Sequence, residues 1–239
     1  MQNATKMGLN YTGAQMSPHD SQEQIKASQE VPPDIPGDAR KLALVRGEEA
    51  ASADAIGSVP LPGSAKGMLK SALNKLVGVS PEVLIDKLGE RLAFERTGVR
   101  LYEALLAKAE VMEAVDDAKR QTLLHFRDEE AEHLGLVTAA MEKLGADPTA
   151  MTPCADVTGV TGIGILQAIS DPRTNFAQSL NALLSAELTD NAGWELLIEL
   201  ADTSGQTSIA ESFYPALEQE KVHLETIRAW LGEELKRQV

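Results

Sequence analysis

EAEHL (residues 130–134) and EKVHL (residues 220–224) are two copies of one Glu-x-x-His pattern, and they decide the fold. Each copy places a glutamate three residues before a histidine, so both side chains lie on one face of a helix. A single glutamate precedes each copy on an earlier helical stretch, Glu95 by 35 residues and Glu187 by 33. The sequence therefore contains an internal repeat. The two spacings differ by two residues, and a longer loop in the first copy can account for this difference.

The repeated residues lie on the inner seams of predicted helices. Followed in alternating steps of three and four residues, each seam is apolar at its ends and polar in the middle. An ionised carboxylate in an apolar interior costs on the order of several kcal/mol, and four carboxylates at one level also repel one another. Two metal ions would neutralise this charge. The candidate metal-binding and catalytic residues are Glu95, Glu130, His133, Glu187, Glu220 and His223.

Four long helical patterns carry these seams and predict an all-α fold. The first begins with Ser80 as N-cap and Pro81 at the first helical position, and it runs to about Ala109. The others cover about residues 116–145, 173–203 and 206–235. The first and last connections are short, which predicts two antiparallel hairpins, and residues 146–171 are long enough to cross the length of a bundle.

This arrangement resembles the ferritin-like superfamily of di-iron carboxylate proteins, nearest to rubrerythrin and bacterioferritin, over about residues 81–236. The resemblance implies a four-helix bundle in which two antiparallel hairpins are joined by a long crossover. It further implies that Glu130 and Glu220 bridge two metal ions, while Glu95 and Glu187 each bind one. A homodimer is compatible with the relatives.

The expected cofactor is a pair of iron ions, with manganese as an alternative, because an oxygen-rich and nitrogen-poor ligand set suits these metals better than structural zinc. The resemblance implies an oxidoreductase that reacts with peroxide or dioxygen, as a rubrerythrin-like peroxidase or a ferroxidase. Cys154 is the only cysteine, so a rubredoxin-type centre is absent and a peroxidase would need an external electron donor. An iron-storage subunit, a hydroxylase of a small organic substrate and a bundle used only for interaction remain alternatives.

Neighbours of the six residues have open roles. Asp190 could be a further ligand, support a histidine ring or face solvent, and Gly98 could give room to a substrate or to a close helix crossing. Tyr102 and Trp194 lie two turns after the single carboxylates, where core packing is favoured over electron transfer.

Three further residues are expected to lie outside the site. Glu129 and Glu132 point off the seam, which predicts solvated side chains, with Glu129 the first candidate for an exception. Cys154 lies in the crossover, where a lone thiol is more often inert than redox-active.

The rest of the chain is expected to contribute no core. Residues 1–60 are polar and predict a flexible extension, with the linker VPPDIPGD at 31–38. Residues 61–79 predict a short amphipathic helix that packs on the bundle at 80–239, although a docking or membrane-surface role is an alternative.

Composition excludes several classes of protein. The 239-residue chain is 43% hydrophobic and has a net charge of −14, which would repel nucleic-acid phosphates. It contains no apolar run of membrane-spanning length and begins without an apolar segment of signal-peptide type. A cytoplasmic location is the expectation from these features.

Overall fold

The protein is represented by a computed structural model that describes residues 5, 7–10, 12–35, 37–62, 81–113 and 115–239. The regular secondary structure within these ranges is entirely helical. The chain divides into two compact units, one formed by Asn3–Ala55 and one that contains Ile56–Val239.

The N-terminal unit consists of exposed helices. A 3-10 turn, Ala14–Met16, precedes α1 (Pro18–Glu30) and α2 (Ala39–Ser52), and neither α-helix contains a buried residue. Asp38 caps α2 by accepting a hydrogen bond from the Arg40 backbone N–H at 2.8 Å. The predicted extension thus contains two helices without a core, and its helix-free linker lies between them. The amphipathic helix predicted for 61–79 falls largely outside the described residues.

The larger unit contains five long helices within its described residues. They are α3 (Pro81–Ala109), α4 (Asp117–Leu144), α5 (Pro153–Ser170), α6 (Phe176–Thr203) and α7 (Thr207–Lys236). Asp116 caps α4 at its start, and Gly145 ends it in the left-handed conformation at φ 82°. Asn175 and Gln178 form a reciprocal capping box that starts α6. All four sequence-predicted helices are therefore present.

The fifth helix, α5, occupies part of the stretch that the sequence assigned to the crossover. Thr152 caps it and Pro153 occupies its first turn. It packs along α3 and also contacts α6. Gly89 on α3 permits a close approach, because a Cβ there would overlap with the Thr152 side chain. The glycines and β-branched residues of α5 lower its helix propensity, which explains why the sequence pattern did not predict a helix there.

The apolar core consists of two clusters, one at each end of the bundle, and buried polar residues lie between them. One cluster surrounds Trp194 and Phe213, and the other surrounds Tyr102, Phe126 and Phe176. The hairpins α3–α4 and α6–α7 supply most of both clusters, with α5 contributing Ile169 to the second. This arrangement agrees with the seams that are apolar at their ends. None of the described helices is both long and apolar enough to cross a membrane.

Candidate metal centre

The six predicted ligands all lie in one buried cluster, and each residue has at most 2% of its surface exposed. Four helices supply them: α3, α4, α6 and α7. Their nitrogen and oxygen atoms form three overlapping groups within 4.8 Å, and Glu220 belongs to all three. The groups are Glu130–Glu187–Glu220–His223, Glu95–His133–Glu220 and Glu95–Glu130–Asp190–Glu220.

Glu220 connects the two histidines. Its Oε1 atom lies 2.7 Å from Nδ1 of His133, and its Oε2 atom lies 3.2 Å from Nδ1 of His223. Glu95 approaches His133 Nδ1 at 3.6 Å, while Glu130 approaches His223 Nδ1 at 3.6 Å. Each histidine therefore faces carboxylates from more than one helix.

The facing atoms lie within ion-pair distance of one another but lack hydrogen bonds of ordinary geometry. Both oxygens of Glu95 and Glu220, one oxygen each of Glu130 and Glu187, and Nδ1 of both histidines have no hydrogen-bond partner among the described residues. Buried polar atoms normally have partners, and unsatisfied ones need an explanation. A convergent set of carboxylate oxygens and imidazole nitrogens fits a pair of metal ions.

The Nε2 atom of each histidine contacts a residue outside the six-residue cluster. His133 Nε2 lies 3.0 Å from Gln219 Oε1, and His223 Nε2 lies 2.9 Å from Glu129 Oε2. Gln219 also donates to Glu129 Oε1 at 2.6 Å, which links the two supports. With Nε2 protonated toward these acceptors, a neutral imidazole at either position would present its Nδ1 lone pair to the cluster, as metal-binding histidines require.

Glu129 and Gln219 therefore correct the sequence analysis. Glu129 is buried rather than solvated, whereas Glu132 is exposed as predicted. Gln219 was missed. The signal was available in the repeat, because each residue immediately precedes the glutamate of a Glu-x-x-His pair.

Arg91 is a buried charge beside the cluster that the sequence analysis also missed. Its Nε atom lies 2.8 Å from Glu95 Oε1, and its Nη1 atom lies 2.7 Å from Asp190 Oδ1. Nη1 also donates to the Asp190 carbonyl at 3.1 Å. Asp190 is thus buried and paired with a cation, which rules out the solvent-facing alternative. The sequence feature that could have indicated this pairing is a basic residue one helical turn before Glu95.

Two glycines make room for these polar groups. A Cβ at Gly98 would overlap with the Glu130 carboxylate, so this glycine gives space to a predicted ligand. A Cβ at Gly193 would lie 2.6 Å from Arg91 Nη1. Gly98 therefore gives room to a ligand side chain, a role that was not among the two considered from the sequence.

The charges of the cluster are strongly coupled. Burial alone would lower the pKa of His133 and of His223, but the neighbouring carboxylates, Glu220 above all, raise them to about 10 and about 9. Burial and the Glu220 charge raise the pKa of Glu187 to about 8 and that of Glu130 well above its usual range. Burial would also raise the pKa of Glu220, yet both histidines lower it to about 2. Without metal, the cluster therefore balances its charge with protons.

Two side chains, Tyr102 and Asn191, make further contacts with Glu187, the single glutamate of α6. The Tyr102 hydroxyl donates to Glu187 Oε1 at 2.7 Å, and burial raises the pKa of Tyr102 well above its usual value. Asn191 Nδ2 donates to the main-chain oxygens of Glu187 and Glu220, both at 3.0 Å. Tyr102 is thus a protonated donor, and Asn191 ties α6 to α7 at the level of the cluster.

Cys154 lies away from these groups. Its backbone N–H donates to Asp86 Oδ1 at 2.8 Å, and burial, with Asp86 nearby, raises the pKa of the thiol to about 11. A thiol with this pKa is almost fully protonated at neutral pH, which agrees with the inert role expected for it.

Comparisons with known proteins add no family to this description. No protein family, curated protein or solved structure shows significant similarity to the chain. The functional argument therefore depends on the geometry of the buried cluster.

Proposed function

We propose that this protein is a ferritin-like di-iron carboxylate oxidoreductase that reacts with peroxide or dioxygen. The observation that carries the proposal is the convergence of buried carboxylate oxygens and imidazole nitrogens from all six predicted residues, in groups whose atoms lie within 4.8 Å of one another. Carboxylates held this closely in an apolar bundle need a compensating positive charge. Two iron ions supply that charge and use the atoms that have no hydrogen bond.

The path of the chain supports the ferritin-like topology. Hairpins α3–α4 and α6–α7 each contribute one single glutamate and one Glu-x-x-His pair. The connection between them, 145–175, is long and contains α5. Both features belong to bundles that place di-iron sites among four helices.

The contacts support a division of the ligands between two positions. Glu95 and His133 would hold one ion, while Glu187 and His223 would hold the other. Glu220, which approaches both histidines, would bridge the ions together with Glu130. When bound, such an iron pair supplies electrons for the reduction of peroxide or dioxygen.

The protein's own residues orient and isolate this site. Gln219 and Glu129 fix the imidazole rings, Tyr102 holds Glu187, and Arg91 holds Glu95. The near-complete burial of the ligands excludes bulk water. It also favours an oxidant no larger than peroxide or dioxygen, because a larger one would have to displace the surrounding side chains.

The proposal is tested by loading the full-length protein with ferrous iron under anaerobic conditions. We expect about two iron ions per chain after desalting, since the cluster offers ligands for two. The loaded protein is then exposed separately to hydrogen peroxide and to air, and the loss of ferrous iron is followed with time.

Each outcome has a distinct meaning. Faster loss with peroxide supports a peroxidase, and faster loss with air supports a ferroxidase. Continued uptake far beyond two ions per chain would favour the storage alternative. Failure to bind iron or manganese near this ratio would reject the proposal.

A further inference from the structure

A second candidate site lies outside the six-residue cluster. A cavity of about 410 Å³ opens between α3, α5 and α6. This volume is within the range of about 300–1,000 Å³ that is common for small-molecule sites. None of the six predicted metal ligands lines it.

Arg91 gives this cavity a buried polar group. Only 4% of its surface is exposed, and its Nε and Nη1 atoms face Glu95 and Asp190. Its Nη2 atom makes no hydrogen bond with any described residue, although Arg91 lines the cavity. A guanidinium has five N–H donors in a fixed plane, so the donors of Nη2 can serve an acceptor in the cavity.

The other walls define the rest of the occupant. Phe94, Leu196, Leu197 and Leu200 supply apolar surface, and the Phe94 ring lies 4.3 Å from the Arg91 guanidinium carbon. Lys87 and Glu90 form an ion pair at 2.5 Å. Among the described residues, the charged side chains of the lining are two cations and two anions, Lys87, Arg91, Glu90 and Glu199. The lining therefore carries no excess charge of either sign.

We infer that this cavity binds a small neutral molecule with an apolar body and one carbonyl oxygen, which accepts from Arg91 Nη2. An anionic ligand is disfavoured because Arg91 is already paired with two carboxylates. Binding at this site does not require a metal ion, so it is independent of the proposed oxidoreductase function.

The test uses the full-length, metal-free protein and three probes of similar length: 2-heptanone, hexanoate and heptane. Binding is measured by saturation-transfer NMR with competition. We expect saturable binding of the ketone and about tenfold weaker binding of heptane, the change that corresponds to losing one good hydrogen bond. Hexanoate should also bind more weakly than the ketone, because its charge would be desolvated beside an arginine that two carboxylates already neutralise.

Two tryptophan variants on α5 locate the site. Thr158→Trp places a bulky ring in the lining and should remove ketone binding. Val160→Trp adds the same ring at an exposed position that does not line the cavity and should leave binding unchanged. Arg91→Lys, checked for folding by circular dichroism, should weaken ketone binding about tenfold because Nη2 is lost.

Three results would overturn the inference. They are the absence of saturable ketone binding to the wild-type protein, equal binding by Thr158→Trp, and tighter binding of hexanoate than of the ketone. Because no metal is present, none of these results bears on iron binding by the six-residue cluster.

Discussion

The two hairpins contribute the same ligands to the centre but surround them differently. Three residues after its single glutamate, α3 has Gly98 and α6 has Asp190. Just before its Glu-x-x-His pair, α4 has Glu129 and α7 has Gln219. The ligand set is therefore close to symmetric, while its immediate surroundings are not.

This difference predicts that the two proposed metal positions are inequivalent. His223 is supported by the Glu129 carboxylate, whereas His133 is supported by the neutral Gln219 amide. A carboxylate partner makes an imidazole a stronger donor to a metal ion than an amide does. We therefore expect tighter binding at the position that contains His223.

The largest expected effect comes from the residue that both halves share. Glu220→Ala should abolish retention of both metal ions, because Glu220 approaches both histidines. Glu187→Ala should remove only one ion, since Glu187 belongs to one ligand group. Metal content after anaerobic loading and desalting measures the difference.

The matched control is Glu225→Ala, which removes an exposed carboxylate from the same helix, α7. It should retain both ions. Equal metal loss in the Glu220 and Glu187 variants, with helical content preserved, would contradict a shared role for Glu220.

The next effect concerns Glu129 and Gln219, which contact the Nε2 atoms of the two histidines. Glu129→Gln should weaken binding at the His223 position about 10–100-fold, the usual cost of losing an outer-shell partner. Gln219→Leu should weaken binding at the His133 position, because it removes the acceptor of His133 Nε2. If both variants titrate like the wild-type protein, the two positions do not differ through these supports.

The clustering of the six candidate residues and the helix limits could be predicted because both leave periodic signals. Glu95, Glu130 and His133 fall on seams whose apolar positions define each helix, and their counterparts repeat in the second half. The predicted helix limits agree closely with the structure because caps such as Asp116 and Gly145 mark them.

The surroundings of the site could not be predicted in the same way. Arg91 and Asp190 are 99 positions apart in sequence, and no periodicity shows that they pair. The reciprocal contacts of Glu129 and Gln219 likewise depend on how α4 packs against α7. Helix α5 was missed because its packing on α3 compensates for poor local propensity.

A smaller effect is expected at Gly98, the α3 position that corresponds to Asp190 on α6. Gly98→Ala would place a Cβ against the Glu130 carboxylate, and we expect a loss of about 1–3 kcal/mol in the free energy of unfolding. Gly135→Ala on α4 is the control, because a Cβ there meets nothing within 4 Å. It should stabilise the protein by up to about 1 kcal/mol through helix propensity. Chemical unfolding of both variants measures the opposite signs, and stabilisation by Gly98→Ala would contradict the close approach.

The last effect is a pH dependence that the two halves should share. In the folded, metal-free protein the pKa values of His133, His223 and Glu187 are raised to about 10, 9 and 8. Unfolding returns them to about 6.5 for histidine and 4.3 for glutamate, so the folded state binds more protons at neutral and moderately alkaline pH. The stabilisation from these protons is complete below the unfolded values and is lost as pH rises through the folded ones.

The thermal midpoint of the metal-free protein should therefore fall between pH 7 and pH 10. Glu220 contributes no change in this window, because its pKa is lowered to about 2 and it stays ionised. Metal-loaded protein is the control: its ligands are already deprotonated, so the gap between the two midpoints should widen with pH. A metal-free midpoint that is flat or rises over this range would mean that protons do not balance the carboxylates in either half, and the shared charge of the centre would need another explanation.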